Sequence, residues 1–189
     1  MKVTREQAAA NREKIVEVAS ILFRKHGFDG IGVADIMKAA GLTHGGFYGH
    51  FKSKDDLAAE ACTRALSREW WKGASSSSAT GGLEAFVNAY LSPRHRRNAG
   101  RGCLIAAVGS DIGRQPRTVR RAFTEGLESL IEGLGNFMPG RSPAARRKQA
   151  QATLAGLVGA LILSRAIDDP ALSDEILEAA RMTFGHNPS

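Results

Sequence analysis

Asp35-Ile-Met-Lys-Ala-Ala-Gly-Leu-Thr-His-Gly-Gly-Phe-Tyr-Gly-His-Phe51 is the stretch that decides the fold. It reads as two short helices, about Val33 to Ala40 and Thr43 to Phe51, broken by Gly41. Ile36, Ala40, Leu42, Phe47 and Phe51 can pack inward, and Phe47 and Phe51 share a face because they are four apart. Thr43, His44, Gly45, Tyr48 and Lys52 are then left to the outside. Gly45, Gly46 and Gly49 sit inside the second helix, where each costs roughly 1 kcal/mol relative to alanine. Stability alone does not account for three of them. A helix pressed into a DNA major groove does, because missing side chains let the backbone approach closely. The alternative is a weak helix or loop of no function.

Helical patterns extend on both sides of this stretch. Thr4-Arg-Glu-Gln7 fits a capping box that opens a first helix, and Ile15, Val18, Ala19, Leu22 and Phe23 recur on one face of it. His26-Gly27 ends that helix. Ser53 caps a fourth helix, with Asp55 and Asp56 in its first turn, running to about Trp71. Gly73 to Gly82 is rich in Ser, Ala and Gly and reads as a connector. Further helices are predicted at Leu83–Leu91, Cys103–Ile112, Pro116–Phe137, Pro143–Ile167 and Leu172–Phe184, with Pro93–Gly102 as a basic loop. Pro116 and Pro143 fall where a helix's first turn tolerates proline. No stretch alternates in strand fashion, so the predicted fold class is all-α. It divides into a helix-turn-helix domain over residues 1–54 and a helical effector-binding and dimerisation domain over residues 55–189.

The chain has 189 residues, enough for a core without disulfide staples. Its formal charge of +7 favours a polyanionic partner. The two cysteines, Cys62 and Cys103, have no metal-type spacing and read as reduced thiols. No apolar stretch is long enough to span a bilayer, and Met1-Lys-Val-Thr-Arg-Glu lacks an export-signal core, so a cytoplasmic location is expected. Ser110, Asp111, His95 and Cys103 are not framed by a nucleophile elbow, a metal-ligand pair or a phosphate loop. Neither an enzyme nor a cofactor or metal site is therefore expected.

Gly41-Leu-Thr-His-Gly-Gly-Phe-Tyr-Gly-His-Phe-Lys-Ser-Lys-Asp-Asp-Leu57 closely resembles the TetR family phrase Gly-Leu-Thr-x-Gly-x-Phe-Tyr-x-His-Phe-x-Ser-Lys-x-x-Leu. Phe23-Arg-Lys-His-Gly-Phe28 and Asp35-Ile36 match that family too. The resemblance covers about the first sixty residues. It implies a homodimeric transcription regulator that binds double-stranded operator DNA and answers to a small-molecule effector. A repressor is expected. Thr43, His44 and Gly45 would then open the recognition helix, Tyr48 and His50 would contact phosphates, and Lys54 would pair with a phosphate at a helix N-terminus. Lys2 and Arg5 could add contacts. Two positions depart from the family pattern. Ile31-Gly32 replaces a Ser or Thr cap on the second helix, and Met37 stands where a small alanine is usual.

For the second domain the resemblance implies a ligand pocket, with Trp70, Trp71, Phe86, Tyr90, Leu104, Val108, Phe123, Leu127 and Leu161 as apolar candidates; plain core packing is the competing reading. Cys103 is singled out by Arg101-Gly-Cys-Leu-Ile: a helix start and an adjacent arginine both favour a thiolate. Some relatives with a similar Gly-Cys phrase resemble sensors of electrophiles or oxidants, so release by a thiol-reactive signal is a second expectation. Cys62 reads as packing. Gly156, Gly159 and Ala160 suggest a helix surface that a second copy could approach. Arg94, His95, Arg96, Arg97 and Arg101, continued by Arg114, Arg117, Arg120 and Arg121, form a basic cluster. It reads as a solvated face, an anionic effector site or a DNA-facing patch.

Overall fold

A computed structural model describes residues 4–67 and 82–185. Every regular element in them is helical. Helix α1 (Arg5–His26), α2 (Val33–Ala39) and a 3-10 helix (His44–Gly49) precede α3 (Lys54–Leu66). Then follow α4 (Gly82–Tyr90), α5 (Pro93–Arg97), a 3-10 turn (Ala99–Arg101), α6 (Leu104–Ile112), α7 (Arg117–Gly135), α8 (Pro143–Ala166) and α9 (Pro170–Phe184). Lys2, Trp70, Trp71 and residues 73–81 of the expected connector lie outside the described residues.

The helix starts follow capping chemistry. Thr4 Oγ1 accepts the Gln7 N–H at 3.1 Å, and Ser53 Oγ accepts the Asp56 N–H at 3.1 Å. The predicted capping box forms only in half, because the Gln7 side chain donates forward to Asn11 instead of accepting the Thr4 N–H. Ser92, Ser142 and Asp169 cap α5, α8 and α9 in the same way, each followed by a proline in the first turn. Pro116 is itself the N-cap of α7 rather than a first-turn residue. The predicted basic loop 93–102 is instead α5 and the 3-10 turn, nucleated by the Ser92 cap and Pro93.

Ile15, Val16, Ala19 and Phe23 of α1 share one buried core with Ile36, Met37, Ala40, Phe47, Phe51 and Leu57. Leu42 is half-buried against it. Gly41 turns the chain between α2 and the 3-10 helix at φ 70°, a conformation that disfavours any side chain. Met37 is fully buried, and its methyl lies 3.8 Å from where a Cβ on Gly46 would sit. The larger side chain is thus housed beneath a glycine. Helix α3 packs on α1 on one side and on α7 on the other. Arg12 pairs with Glu60 and Arg64 with Glu13 across the α1–α3 seam. Helix α3 therefore bridges the helix-turn-helix unit and the rest of the fold. Helices α7, α8 and α9 pack in sequence, and α9 also contacts α4.

A second link runs from α1 to the 3-10 turn. Arg24 is 3% exposed, and its Nε donates to the Gly100 carbonyl at 2.8 Å. A Cβ on Gly100 would lie 2.7 Å from the Lys25 stem, so only glycine lets the turn seat this closely on α1. A buried arginine gave no periodic signal in the sequence, and its role emerges only from this long-range bond.

Candidate nucleic-acid interface and effector site

The second helix of the helix-turn-helix is a 3-10 helix of 6 residues, His44–Gly49, with an extended Thr43 ahead of it. Phe47 anchors it, fully buried and stacked on Phe51 at a centroid distance of 5.6 Å. With that side fixed, Thr43, His44, Gly45, Tyr48 and Gly49 all face solvent. Tyr48 is 69% exposed and touches Phe47 only edge-on. Its hydroxyl is presented outward on a rigid base, as a phosphate-contacting residue would be. His50 and Lys54 are half-buried at the same end of the unit, and Lys54 begins α3 just after the Ser53 cap. Of the predicted DNA-contacting residues, Thr43, His44, Gly45 and Tyr48 are thus exposed on or just before this short helix, and His50 and Lys54 follow at its end and at the start of α3.

Two of the three glycines of this helix, Gly45 and Gly49, have no packing role among the described residues. A Cβ on Gly45 or Gly49 would meet nothing within 4 Å, and neither residue has a positive φ. Alanine would fit at both sites and would suit a helix better by roughly 1 kcal/mol each. The second helix is capped by Gly32 without a side-chain bond, as its sequence implies.

In the second part of the chain, Phe86, Tyr90, Cys103, Leu104, Val108 and Leu161 are buried in the common core, while Phe123 and Leu127 are partly buried against it. Trp70 and Trp71, the remaining apolar candidates, are outside the described residues. Cys62 is also core, and burial pushes its thiol up to about 12 despite the nearby Arg24 guanidinium. A thiol so placed is inert packing at neutral pH.

Cys103 has a different setting. It is 2% exposed and is the N-cap of α6. Its thiol lies beside the Tyr90 hydroxyl, and Arg165 of α8 is near both groups. Arg101, the sequence neighbour, is exposed. Burial, and then the adjacent Cys103, raise the Tyr90 phenol well above its usual value. His95 closes the group: its Nδ1 lies 2.6 Å from the Tyr90 carbonyl, and its Nε2 is 2.9 Å from the Cys103 N–H. The carbonyl requires a donor at Nδ1 and the amide requires an acceptor at Nε2, so this is a neutral imidazole with one tautomer. A Cβ on Gly102 would lie 2.6 Å from His95 Nε2, so that glycine makes room for the bond.

Burial holds the His95 pKa below its ordinary 6.5, only partly offset by the bond to Tyr90. A depressed imidazole contributes stability above the unfolded-state value, and that contribution is lost as pH falls from about 6.5 toward the folded value. Urea unfolding from pH 8 to pH 5 is expected to show decreasing stability below about 6.5. His95→Gln should flatten that segment; equal slopes in both proteins would disprove the linkage.

The basic cluster is divided by its partners. Arg96 pairs with Asp174 at 2.7 Å, Arg114 with Asp111 and Arg121 with Glu125. Thr118 of α7 lines one crevice with Arg12, His50 and Lys52, so the arginine-rich start of α7 lies beside the helix-turn-helix unit. Arg94 and Arg101 instead line another crevice, between α4 and the 3-10 turn.

The glycines suggested for a helix surface also separate. A Cβ on Gly156 would strike the Phe184 ring at 2.2 Å, and Ala160 is buried, so both serve packing within the chain. Gly159 has open space. It lies on the same face as Ala155, Ile162, Leu163 and Ala166 of α8, which are all exposed. Leu172, Ala179 and Met182 of α9 are exposed as well.

The fold is an all-helical chain with an N-terminal helix-turn-helix joined to a helical second unit, an architecture it shares with solved TetR-family structures. Residues 15–61 match the family described as bacterial regulatory proteins, tetR family, so over this stretch the chain is similar to that family's members. The AcrR transcriptional regulator of Shigella flexneri is 42% identical over 57 residues, 30% of this chain and 26% of that protein. TtgR of Pseudomonas putida is 41% identical over 54 residues, 29% of this chain and 26% of that regulator. Each of these matches thus spans about a quarter of the relative's length. Over nearly the whole chain the fold is that of E. coli NemR in its reduced form, with a TM-score of 0.78, 20% identity and coverage of 95% of this chain and 99% of that one. A TetR regulator from Chloroflexus aurantiacus aligns with a TM-score of 0.78, 21% identity and coverage of 96% and 98%. The AcrR, TtgR and Chloroflexus aurantiacus proteins are named as transcriptional regulators. No described helix is long and apolar enough to cross a membrane.

Proposed function

We infer that this chain is a homodimeric repressor that binds operator DNA through Thr43, His44, Gly45, Tyr48, His50 and Lys54 and leaves it when an effector occupies the second domain. The observation that carries this reading is the recognition helix itself. It spends two glycines, Gly45 and Gly49, where the free chain has room for side chains, and it presents Tyr48 outward on a buried phenylalanine. A surface that forgoes intrachain stability in this way is explained by an outside partner that approaches the backbone. The exposed apolar face of α8 and α9 supplies the second requirement. Half-sites about 34–36 Å apart need two recognition helices held by a two-fold dimer.

Effector release follows from two conformations that fit DNA unequally; a ligand favouring the non-binding one empties the operator. The buried group around Phe86, Tyr90, Cys103 and Val108, with Phe123 and Leu127 at its edge and Trp70 as a further candidate, is the proposed sensing region. A thiol-reactive signal through Cys103, the N-cap of α6, is the alternative input.

The test is binding to DNA from upstream of the chain's own gene, with unrelated competitor, at physiological salt, with and without a thiol-reactive electrophile. Specific binding that Tyr48→Ala weakens at least tenfold is expected. Lys54→Ala should weaken binding to all sequences and reduce the salt slope by about one unit. Release by the electrophile that Cys103→Ser abolishes would select the thiol route, and release that persists in Cys103→Ser would remove it. Binding that unrelated DNA competes away equally would refute the operator reading.

A further inference from the structure

Resting on the effector-responsive reading above, we propose that the crevice between α4, α5 and the 3-10 turn binds a small organic anion through Arg94 and Arg101. The crevice has a volume of about 380 Å³ and is lined by Ala89, Ser92, Arg94, His95, Asn98, Arg101 and Gly102. That volume suits a small metabolite with a carboxylate or phosphate group. No acidic side chain is among the lining residues.

What distinguishes this loop from an ordinary basic surface is how its polar groups are used. Nearly everything around the two arginines is tied down. Ser92 Oγ caps α5 by accepting the His95 N–H at 3.2 Å. The His95 ring is held at both nitrogens. Arg165 donates to the carbonyls of His95 and Arg96 at 2.9 and 3.0 Å. Arg96 is fixed on Ser173 and Asp174. The Gly100 carbonyl accepts from Arg24. By contrast, Arg94, Arg101 and the Asn98 amide make no hydrogen bond or ion pair through their side chains among the described residues. Two guanidinium groups and an amide, with their donors unspent, thus line a concave site whose backbone is already ordered. A preorganised frame lowers the cost of capturing a ligand, and planar guanidinium donors match carboxylate or phosphate oxygens two at a time.

The position of the crevice also gives it a route to the DNA-binding unit. Arg101 belongs to the 3-10 turn that Arg24 and the Lys25 stem clamp to α1. On the other side, Gly102 leads into Cys103 and α6. An anion drawing Arg94 and Arg101 together pulls on that turn, and the turn is bonded directly to the first helix of the helix-turn-helix. The bound species is therefore an effector whose charge is read by a loop seated on α1, apart from any apolar ligand held in the core.

Calorimetric titration of the whole chain with inorganic phosphate, and separately with citrate, at constant ionic strength tests this. One saturable site per protomer is expected for at least one of the two anions, and which one binds distinguishes phosphate from carboxylate recognition. The pair Arg94→Gln with Arg101→Gln should weaken that binding at least tenfold while thermal unfolding stays unchanged. Arg97→Gln removes a cation from the same short helix but not from the crevice lining, and should leave binding within twofold. No saturable binding of either anion would overturn the proposal, as would binding that the double variant retains or that Arg97→Gln reduces equally. Operator binding measured without the anion keeps the two readings apart. A chain that binds the anion but never specific DNA would sink the repressor reading and leave the crevice standing.

Discussion

Gly45→Leu is expected to fold as well as the parent chain and to lose operator affinity by on the order of 100-fold. The reasoning separates the two effects. In the free protein a Cβ at this position meets nothing within 4 Å, and the backbone there is not in the left-handed region. Adding a side chain therefore creates no clash, and Gly45→Ala should raise thermal stability slightly by restricting the unfolded chain. On DNA the same side chain stands between the helix backbone and the groove. The recognition helix occurs twice in a dimer, so a penalty of about 1–3 kcal/mol per half-site is counted twice. Thermal unfolding and operator titration on the same preparations check both halves. A Gly45→Leu protein that is stable and still binds normally would show that this face of the helix is not the one that meets DNA.

Leu163→Glu is expected to convert the dimer to a monomer and to abolish specific DNA binding at concentrations where the parent is saturated. Leu163 is 54% exposed, and Gly159, Ile162 and Ala166 continue its stripe. The exposed apolar residues of α9 widen the patch. Leaving such side chains in water forgoes roughly 1.5–3 kcal/mol each on full burial. Under two-fold symmetry every substitution appears twice, and a glutamate here would bury two carboxylates without partners. The substitution sits on a helix surface where the monomer does not pack, so helical content should be preserved. Gly156→Ala is the contrasting change. It introduces a Cβ into the Phe184 ring position and should destabilise each protomer without selectively dissociating the pair. Light scattering at micromolar concentration distinguishes the two. A Leu163→Glu protein that remains dimeric would place the interface elsewhere.

Much of the candidate DNA interface was legible because its signals are local. Phe47 and Phe51 are four residues apart, Ser53 precedes a helix, and Gly41 must turn; each rule operates within a few residues. Which residues face out then follows from which face in. The effector region was less legible for the opposite reason. Arg101 is two residues from Cys103 in sequence, yet the guanidinium that packing brings near Cys103 and Tyr90 is Arg165 of α8. His95 reads as one member of a basic run, and only the fold shows it as a neutral ring joining Tyr90 to Cys103. The loop expected at 93–102 proved to be ordered because its cap and first-turn proline are reinforced by Arg165 and Arg24 from distant helices.

The sequence by itself determined that the chain is helical, where most helices begin and end, and which short helix presents the residues proposed to contact DNA. These depend on periodicity, capping and glycine placement, which act at short range along the chain. The tertiary structure alone decided which glycines pack against neighbours and which stand open. It also decided which arginines are spent and which are left for a ligand, and how the loop before α6 is fastened to α1. Those outcomes depend on groups more than sixty residues apart meeting in space, as Arg24 and Gly100 do at |i−j| of 76, and no local pattern encodes such a meeting.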